Sequence, residues 1–187
     1  MANSNTQGFG LIAAGTLGST PSTQGQGKYK IDANYATTIY SGGAVASLAG
    51  YIVEGQTTDA PVLGVLNGIF YNAATTNKPT WANHYVQVTP ANSEDIDAFV
   101  FDNPQQQYVV ATDDAVTQAG FLETYDMNTT AGSTTTGKSS ATLDIGDTSA
   151  DAASWRLLRS AEDPSNQDIT AAYASVVVVP NLIELQS

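Results

Sequence analysis

Ile96-Asp97-Ala98-Phe99-Val100-Phe101-Asp102-Asn103-Pro104, followed within a few residues by Tyr108-Val109-Val110-Ala111-Thr112, sets the fold class: a β-prone run, a turn signal and a second β-prone run. Short runs rich in Val, Phe and Tyr between Asn/Pro/Gly breaks favour strands over helices. The same unit recurs outward in both directions. Tyr29, Ile31 and Ile39 stand in near-alternation with polar residues from Lys28 onward, and further runs cover Tyr51–Glu54, Val62–Tyr71, Trp81–Val88, Trp155–Arg159 and Ser175–Val179. The breaks hold Ser41-Gly42-Gly43, Gly55, Asn77-Lys78-Pro79, Thr89-Pro90 and Asp163-Pro164. Val176–Val179 is unbroken and β-branched, the pattern of a central strand buried on both faces. Helix signals are few. Asp113–Gly120 fits one short helix capped by Thr112 or Asp113, and Thr148–Ser154 and Ile169–Ala174 are weaker candidates. The punctuation leaves no room for a helix beyond about three turns. The chain is therefore expected to be all-β, a β-sandwich or barrel of short antiparallel strands, with residues 28–187 as a single domain.

Residues 1–27 differ in character. They are rich in Gly, Ser, Thr, Asn and Gln, contain Pro21, and hold one small apolar island from Phe9 to Leu17. Gly8, Gly10, Gly15 and Gly18 argue against a helix, and so polar a segment cannot fold alone. Two readings stand side by side: a disordered tail, or an extended arm that orders on a neighbouring subunit with Phe9, Leu11, Ile12 and Leu17 as anchors.

Composition narrows function. Of the 187 residues, 42% are hydrophobic, enough for a core, but only 13% are charged, about half the roughly 25% of ordinary soluble domains. The surface is solvated by neutral hydrogen-bonding groups, as on extracellular and virion proteins. Eighteen acidic residues against six Lys and Arg give a formal charge of −12. The cations are dispersed, which disfavours nucleic acid and anionic membranes as partners and leaves acidic faces suited to a basic protein surface. There is no cysteine, so disulfides and thiolate metal sites are excluded. No apolar run is long enough to span a bilayer, and the first residues lack the basic and apolar regions of a secretory signal. A protein made in a cytoplasm and released by lysis fits this combination.

Motifs with chemical content are sparse. Gly132-Ser133-Thr134-Thr135-Thr136-Gly137-Lys138-Ser139 satisfies the phosphate-loop pattern. That chemistry requires a strand before the loop and a helix after it, yet Asp126–Ala131 is polar and Leu143–Asp147 suggests strand and turn. Residues 128–140 fit a surface loop, so the match is a coincidence of Gly/Ser/Thr composition. Asn128-Thr129-Thr130 matches a glycosylation acceptor, read as chance without a secretory signal. Acidic groups at Glu94/Asp95/Asp97, at Asp113/Asp114 and at Asp144/Asp147/Asp151 lack the spacing of a calcium loop and suit solvated turns and caps. His84 is the only histidine, no Gly-x-Ser-x-Gly elbow occurs, and zinc or triad chemistry has little to build on. No catalytic, cofactor or metal residue is expected. The aromatic residues suit a core, or a sugar-binding platform.

In order along the chain, several segments carry a resemblance: Gly8-Phe9-Gly10, Tyr29-Lys30-Ile31, Ile39-Tyr40-Ser41-Gly42-Gly43, Val62-Leu63-Gly64-Val65 running into Gly68-Ile69-Phe70-Tyr71, Ala98–Pro104 leading to Tyr108-Val109-Val110, and Trp155-Arg156-Leu157-Leu158-Arg159. The chain resembles virion structural proteins of marine tailed bacteriophages, of the kind assigned as capsid decoration or cement proteins. Ser41-Gly42-Gly43-Ala44 departs from the pattern by lacking an acidic residue after the glycine. The resemblance implies a small, non-enzymatic β-rich protein on the outside of an icosahedral shell. It would bind the major capsid protein and copies of itself, as trimers or other symmetric clusters. The rival readings are a tail-tube, head–tail joining or fibre-base protein, a carbohydrate-binding β-sandwich, and a hydrolase built on His84.

Overall fold

The structure is a computed structural model, and it describes residues 3–18, 25–55, 60–129, 132–148 and 153–186. Strands follow one another as β1 (Ile12–Thr16), β2 (Gly27–Ile31), β3 (Ala44–Leu48), β4 (Tyr51–Glu54), β5 (Gly64–Asn72), β6 (Pro79–Ala82), β7 (Ile96–Phe101), β8 (Gln106–Ala111), β9 (Thr124–Asn128), β10 (Thr142–Thr148), β11 (Trp155–Ser160) and β12 (Ser175–Pro180). Helical structure among the described residues is limited to three short 3-10 turns. The strands form two antiparallel sheets. The first has the order β1-β8-β12-β11-β9-β10, and the second β2-β7-β5-β3-β4 with β6 beside β5. The all-β expectation holds, and the sheets pack as a sandwich.

The second sheet carries a core on each of its faces. Successive residues of a strand point to opposite faces, and here neighbours part company: Ala44 and Val65 join a cluster with Tyr108, Trp155, Leu157, Val176 and Val178 of the first sheet. Val45 and Leu66 join another with Ile31, Ile39, Tyr85, Ile96 and Val100. The second cluster is roofed by the 32–40 and 83–95 connections, and β2 comes to lie beside β4, so the sheet curls around it. A bulge in β5 keeps this arrangement in phase. Leu66 pairs with Val100 and Ile69 with Ala98, which places both on one face despite their three-residue spacing, and Asn67 is the extra residue. In the first sheet, β12 is central between β8 and β11 and its valines 176–179 are all buried, as the β-branched run predicts.

Three local expectations are corrected. The Trp81–Val88 run leaves the sheet after Ala82, because Tyr85 turns inward, fully buried, with backbone bonds to Ile39 (3.0 and 2.8 Å) and its hydroxyl on the Tyr35 carbonyl. Asp113–Gly120 is no α-helix. Asp113 N–H is held by the Leu143 carbonyl at 3.0 Å and Val116 N–H by that of Ile169 at 2.7 Å, so the backbone cannot coil on itself, and only Gln118–Gly120 makes a 3-10 turn. Residues 169–174 form turns tied to Thr112, while most of the Thr148–Ser154 candidate lies outside the described residues.

The described part of the N-terminal segment packs on the sandwich. From Asn3 to Gly18 the chain lies on its own domain: β1 pairs with β8, and Leu11, 3% exposed, belongs to the core between the sheets. The Asn3 side chain donates to the carbonyls of Asp168 and Ala172 at 3.0 and 2.9 Å. The glycines that speak against a helix permit this close docking. A Cβ on Gly8 would come within 2.1 Å of the Ser140 carbonyl oxygen and 2.7 Å of that of Ala141. Residues 19–24 lie outside the described residues.

The β3–β4 hairpin turns through Ala49 and Gly50, with φ of 52° and 86°. Positive φ at both positions defines a type I′ turn, for which Asn-Gly is preferred and alanine strained. Ala49→Asn is expected to stabilise the protein by about 0.5–1 kcal/mol, seen as a higher urea midpoint at unchanged slope; a midpoint that stays put or falls refutes this assignment.

Candidate interaction surface

The four residues singled out in the N-terminal segment divide between core and surface. Leu11 is buried, its N–H bonded to the Gly42 carbonyl at 2.8 Å, and is not available to a neighbour. Leu17 is half-buried, its N–H on the Gln105 carbonyl. Phe9 and Ile12 face outward, with Ile12 54% exposed. Both line an open groove of about 320 Å³ whose other walls include Asn67, Phe101 and Lys138, and both also line a shallower groove beside Asn5 and Val109. Phe9, ahead of β1, and Ile12, its first residue, thus lie at the margin of the first sheet, where β1 is the outermost strand.

Phe101 connects this groove to an aromatic surface. Phe99, two residues back on β7, shares its face, and register carries that face sideways: Lys28 and Gly68 lie opposite Phe99, Lys30 and Phe70 opposite Asp97, and Trp81 opposite Phe70. Trp81 is 53% exposed. Its indole lies over Gly68, where a Cβ would meet Cζ2 at 2.5 Å, and its ring centre is 5.2 Å from that of Phe99 at a 45° tilt. The result is an exposed aromatic platform seated on backbone. Sequence periodicity does not disclose it, since it depends on a glycine two strands removed in register from Lys28.

A charged rim borders the platform. Lys28 and Lys30 reach Asp97 at 2.7 and 2.6 Å. Burial of Asp97 pushes its carboxyl up, but the hydrogen bonds and charges of Lys28 and Lys30 outweigh this and hold it below the usual range; the hydrogen bond to Asp97 raises Lys30. With the folded-state value depressed, the stabilisation is present above the unfolded pKa of about 3.9 and is lost as pH falls through the folded value. The lysines are half-exposed, so screening keeps the effect to about 1 kcal/mol or less. Asp97→Asn is expected to lower the melting temperature at pH 7 by about 1–3 °C and to melt like the parent near pH 2. A difference that persists undiminished in acid contradicts the pairing.

The remaining chemistry-bearing residues are occupied locally. Gly132–Ser139 closes on itself, with Ser133 N–H on the Lys138 carbonyl at 2.9 Å and Gly137 N–H on that of Ser133 at 2.7 Å. The polar stretch ahead of the loop proves to contain a strand, since Asp126–Asn128 belongs to β9, but strand β10 and not a helix follows it. Asp126 is buried and accepts the Ser154 N–H at 3.0 Å, which accounts for a polar residue in an interior strand. Asp113 accepts the Ile145 N–H, Asp144 the Gly146 N–H, and Asp95 the Tyr51 hydroxyl. Burial pushes the Asp113 carboxyl up, against the Ile145 hydrogen bond. Among the described residues, no three His, Asp or Glu side chains gather to hold a metal ion. His84 stacks on Tyr40 with ring centres 6.0 Å apart, and its Nδ1 contacts Asn83 Oδ1 at 2.8 Å.

No family model, curated protein or solved structure matches the chain.

Proposed function

We propose that this chain is a structural protein of a virus particle that binds the outer surface of a tailed-phage icosahedral capsid and stabilises it. Its partners in this reading are the major capsid protein and copies of itself. It is made in the host bacterial cytoplasm, and it has no catalytic role and no cofactor. The observation that carries the reading is the N-terminal segment. It lies as the outermost strand of a β-sandwich, with Phe9 and Ile12 presented in open grooves on an acidic, charge-poor molecule. Shell reinforcement needs extended contact area and mutual tying rather than a reactive group, and the sequence resemblance points to the same role. Quantitative mass spectrometry of purified particles tests it. Copy number approaching that of the major capsid protein is expected, whereas a handful of copies per particle moves the chain to the tail or the head–tail joint.

The Trp81 platform favours a second reading, a carbohydrate-binding sandwich, because an exposed indole beside polar rim groups suits stacking on a pyranose ring. Glycan-array binding abolished by Trp81→Ala, with folding intact, selects that reading over the first.

A further inference from the structure

We infer that β1 is a self-association edge, pairing antiparallel with β1 of a second copy about a twofold axis. A strand at a sheet margin offers unpaired backbone groups to any other chain, and proteins guard such edges with charge, proline, bulges or cover. The other margins here are guarded. β2 carries Lys28 and Lys30 and has β4 alongside; β4 carries Glu54; β6 is four residues long and opens with Pro79; β10 carries Asp144 and a broken register. β1 has neither charge nor proline, and among the described residues no strand lies on its far side. Its one irregularity is a register shift between Ala13 and Gly15, which confines new pairing to a short ladder.

Charge identifies the occupant. The first ionisable side chain in the sequence is Lys28, so β1 and its flanks carry no charged side chain in a molecule of net charge −12. Two copies repel over most of their surfaces, and this neutral margin is where like-charged bodies approach with least repulsion. A basic partner would instead be drawn to the acidic faces. On the outer face, Ile12 and Ala14 are both exposed, and Phe9, Ile12 and Val109 line one shallow groove whose lining also includes Asp163. A twofold therefore adds apolar contact to the new ladder and joins two six-stranded sheets into one. The inference rests on the self-association in the reading above and not on the capsid partner.

The chain has no cysteine, which makes thiol trapping clean. Ile12→Cys, Ala14→Cys and Thr16→Cys are oxidised in separate samples of the free full-length protein, with Thr75→Cys, on an exposed turn, as control. At least one β1 variant is expected to give disulfide-linked dimer and the control none. Sedimentation is expected to show the cysteine-free protein associating more strongly as salt rises from low to physiological levels and beyond, since screening weakens the long-range repulsion. Ala14→Lys, unchanged in melting temperature, should move the association midpoint at least about tenfold upward. A protein monomeric at all concentrations tested, dimers trapped equally by Thr75→Cys, or an Ala14→Lys variant that associates like the parent overturns the inference. Ala14→Lys that loses self-association yet decorates particles normally leaves the edge assigned and removes it from the capsid role.

Discussion

Replacing Trp155 with alanine is expected to destabilise the protein by about 3–5 kcal/mol, the largest loss of any single truncation in its core. Trp155 is 1% exposed on β11, and its indole meets the Tyr108 ring edge-to-face at 5.6 Å and 89°. The two rings reach each other across the central strand β12, because Trp155 pairs with Pro180 and Tyr108 with Val178. Tyr108 in turn donates its hydroxyl to the Phe101 carbonyl of β7 at 3.0 Å, a direct tie between the two sheets. Removing the indole opens a large cavity, withdraws the aromatic contact and loosens the residue that links the layers. For a chain of this size the melting temperature should fall by roughly 6–20 °C. Trp81, the other tryptophan, remains as a fluorescent reporter, and Trp81→Ala should leave stability within about 1 kcal/mol because its ring is half in solvent. A loss below about 1 kcal/mol at Trp155, or equal losses at the two positions, would show that the core between the sheets is not organised around this ring.

What was legible in the sequence follows from how each strand is buried. Ile96–Phe101 alternates strictly because its Ile, Ala and Val face the second core while Asp97 and Phe99 face the rim and platform, and its limits were read without error. Val176–Val179 announced a central strand by losing alternation altogether. The Val62–Tyr71 run reads as a strand and meets β5 (Gly64–Asn72), although β5 breaks its own period at Asn67. β9 escapes a sequence reading because it hides a buried carboxylate whose partner, Ser154, lies far along the chain. The segment ahead of β2 reads as a tail or an arm because its composition is too polar and glycine-rich to fold by itself. That judgement is sound for an isolated segment, but it does not register that glycine lets backbone lie directly on backbone at Ser140 and Ala141. The same limit applies to the surface. Phe9, Leu11, Ile12 and Leu17 read alike as apolar anchors within a polar stretch, and only the fold sorts exposed Ile12 and half-buried Phe9 from buried Leu11. The Trp81 platform exists only through the pairing of β5, β6 and β7.

Deleting residues 1–18 separates an integral strand from an appended arm more sharply than any point substitution. An arm ordered only by a neighbouring subunit can be removed from the free protein without changing its melting. The structure leads to the opposite expectation. Deletion uncovers the edge of β8, empties the place of Leu11 in the core, and strips the Ala141 and Gly42 carbonyls of the Gly10 and Leu11 amides. Burial of one leucine contributes about 1.5–3 kcal/mol, and each lost hydrogen bond to a buried group about 1 kcal/mol more. The total, about 3–5 kcal/mol, corresponds to a drop of roughly 6–20 °C. Gly8→Ala is the finer instrument. Its methyl group would have to occupy space already held by the Ser140 and Ala141 carbonyl oxygens, which are backbone and cannot rotate away. The segment must therefore lift while the rest of the domain stays folded. Amide exchange and protease cleavage between residues 3 and 18 should rise sharply in Gly8→Ala, with the β11–β12 amides still protected. If both variants melt and exchange like the parent, the N-terminal strand contributes nothing to the free domain, and its contacts are made only in an assembly.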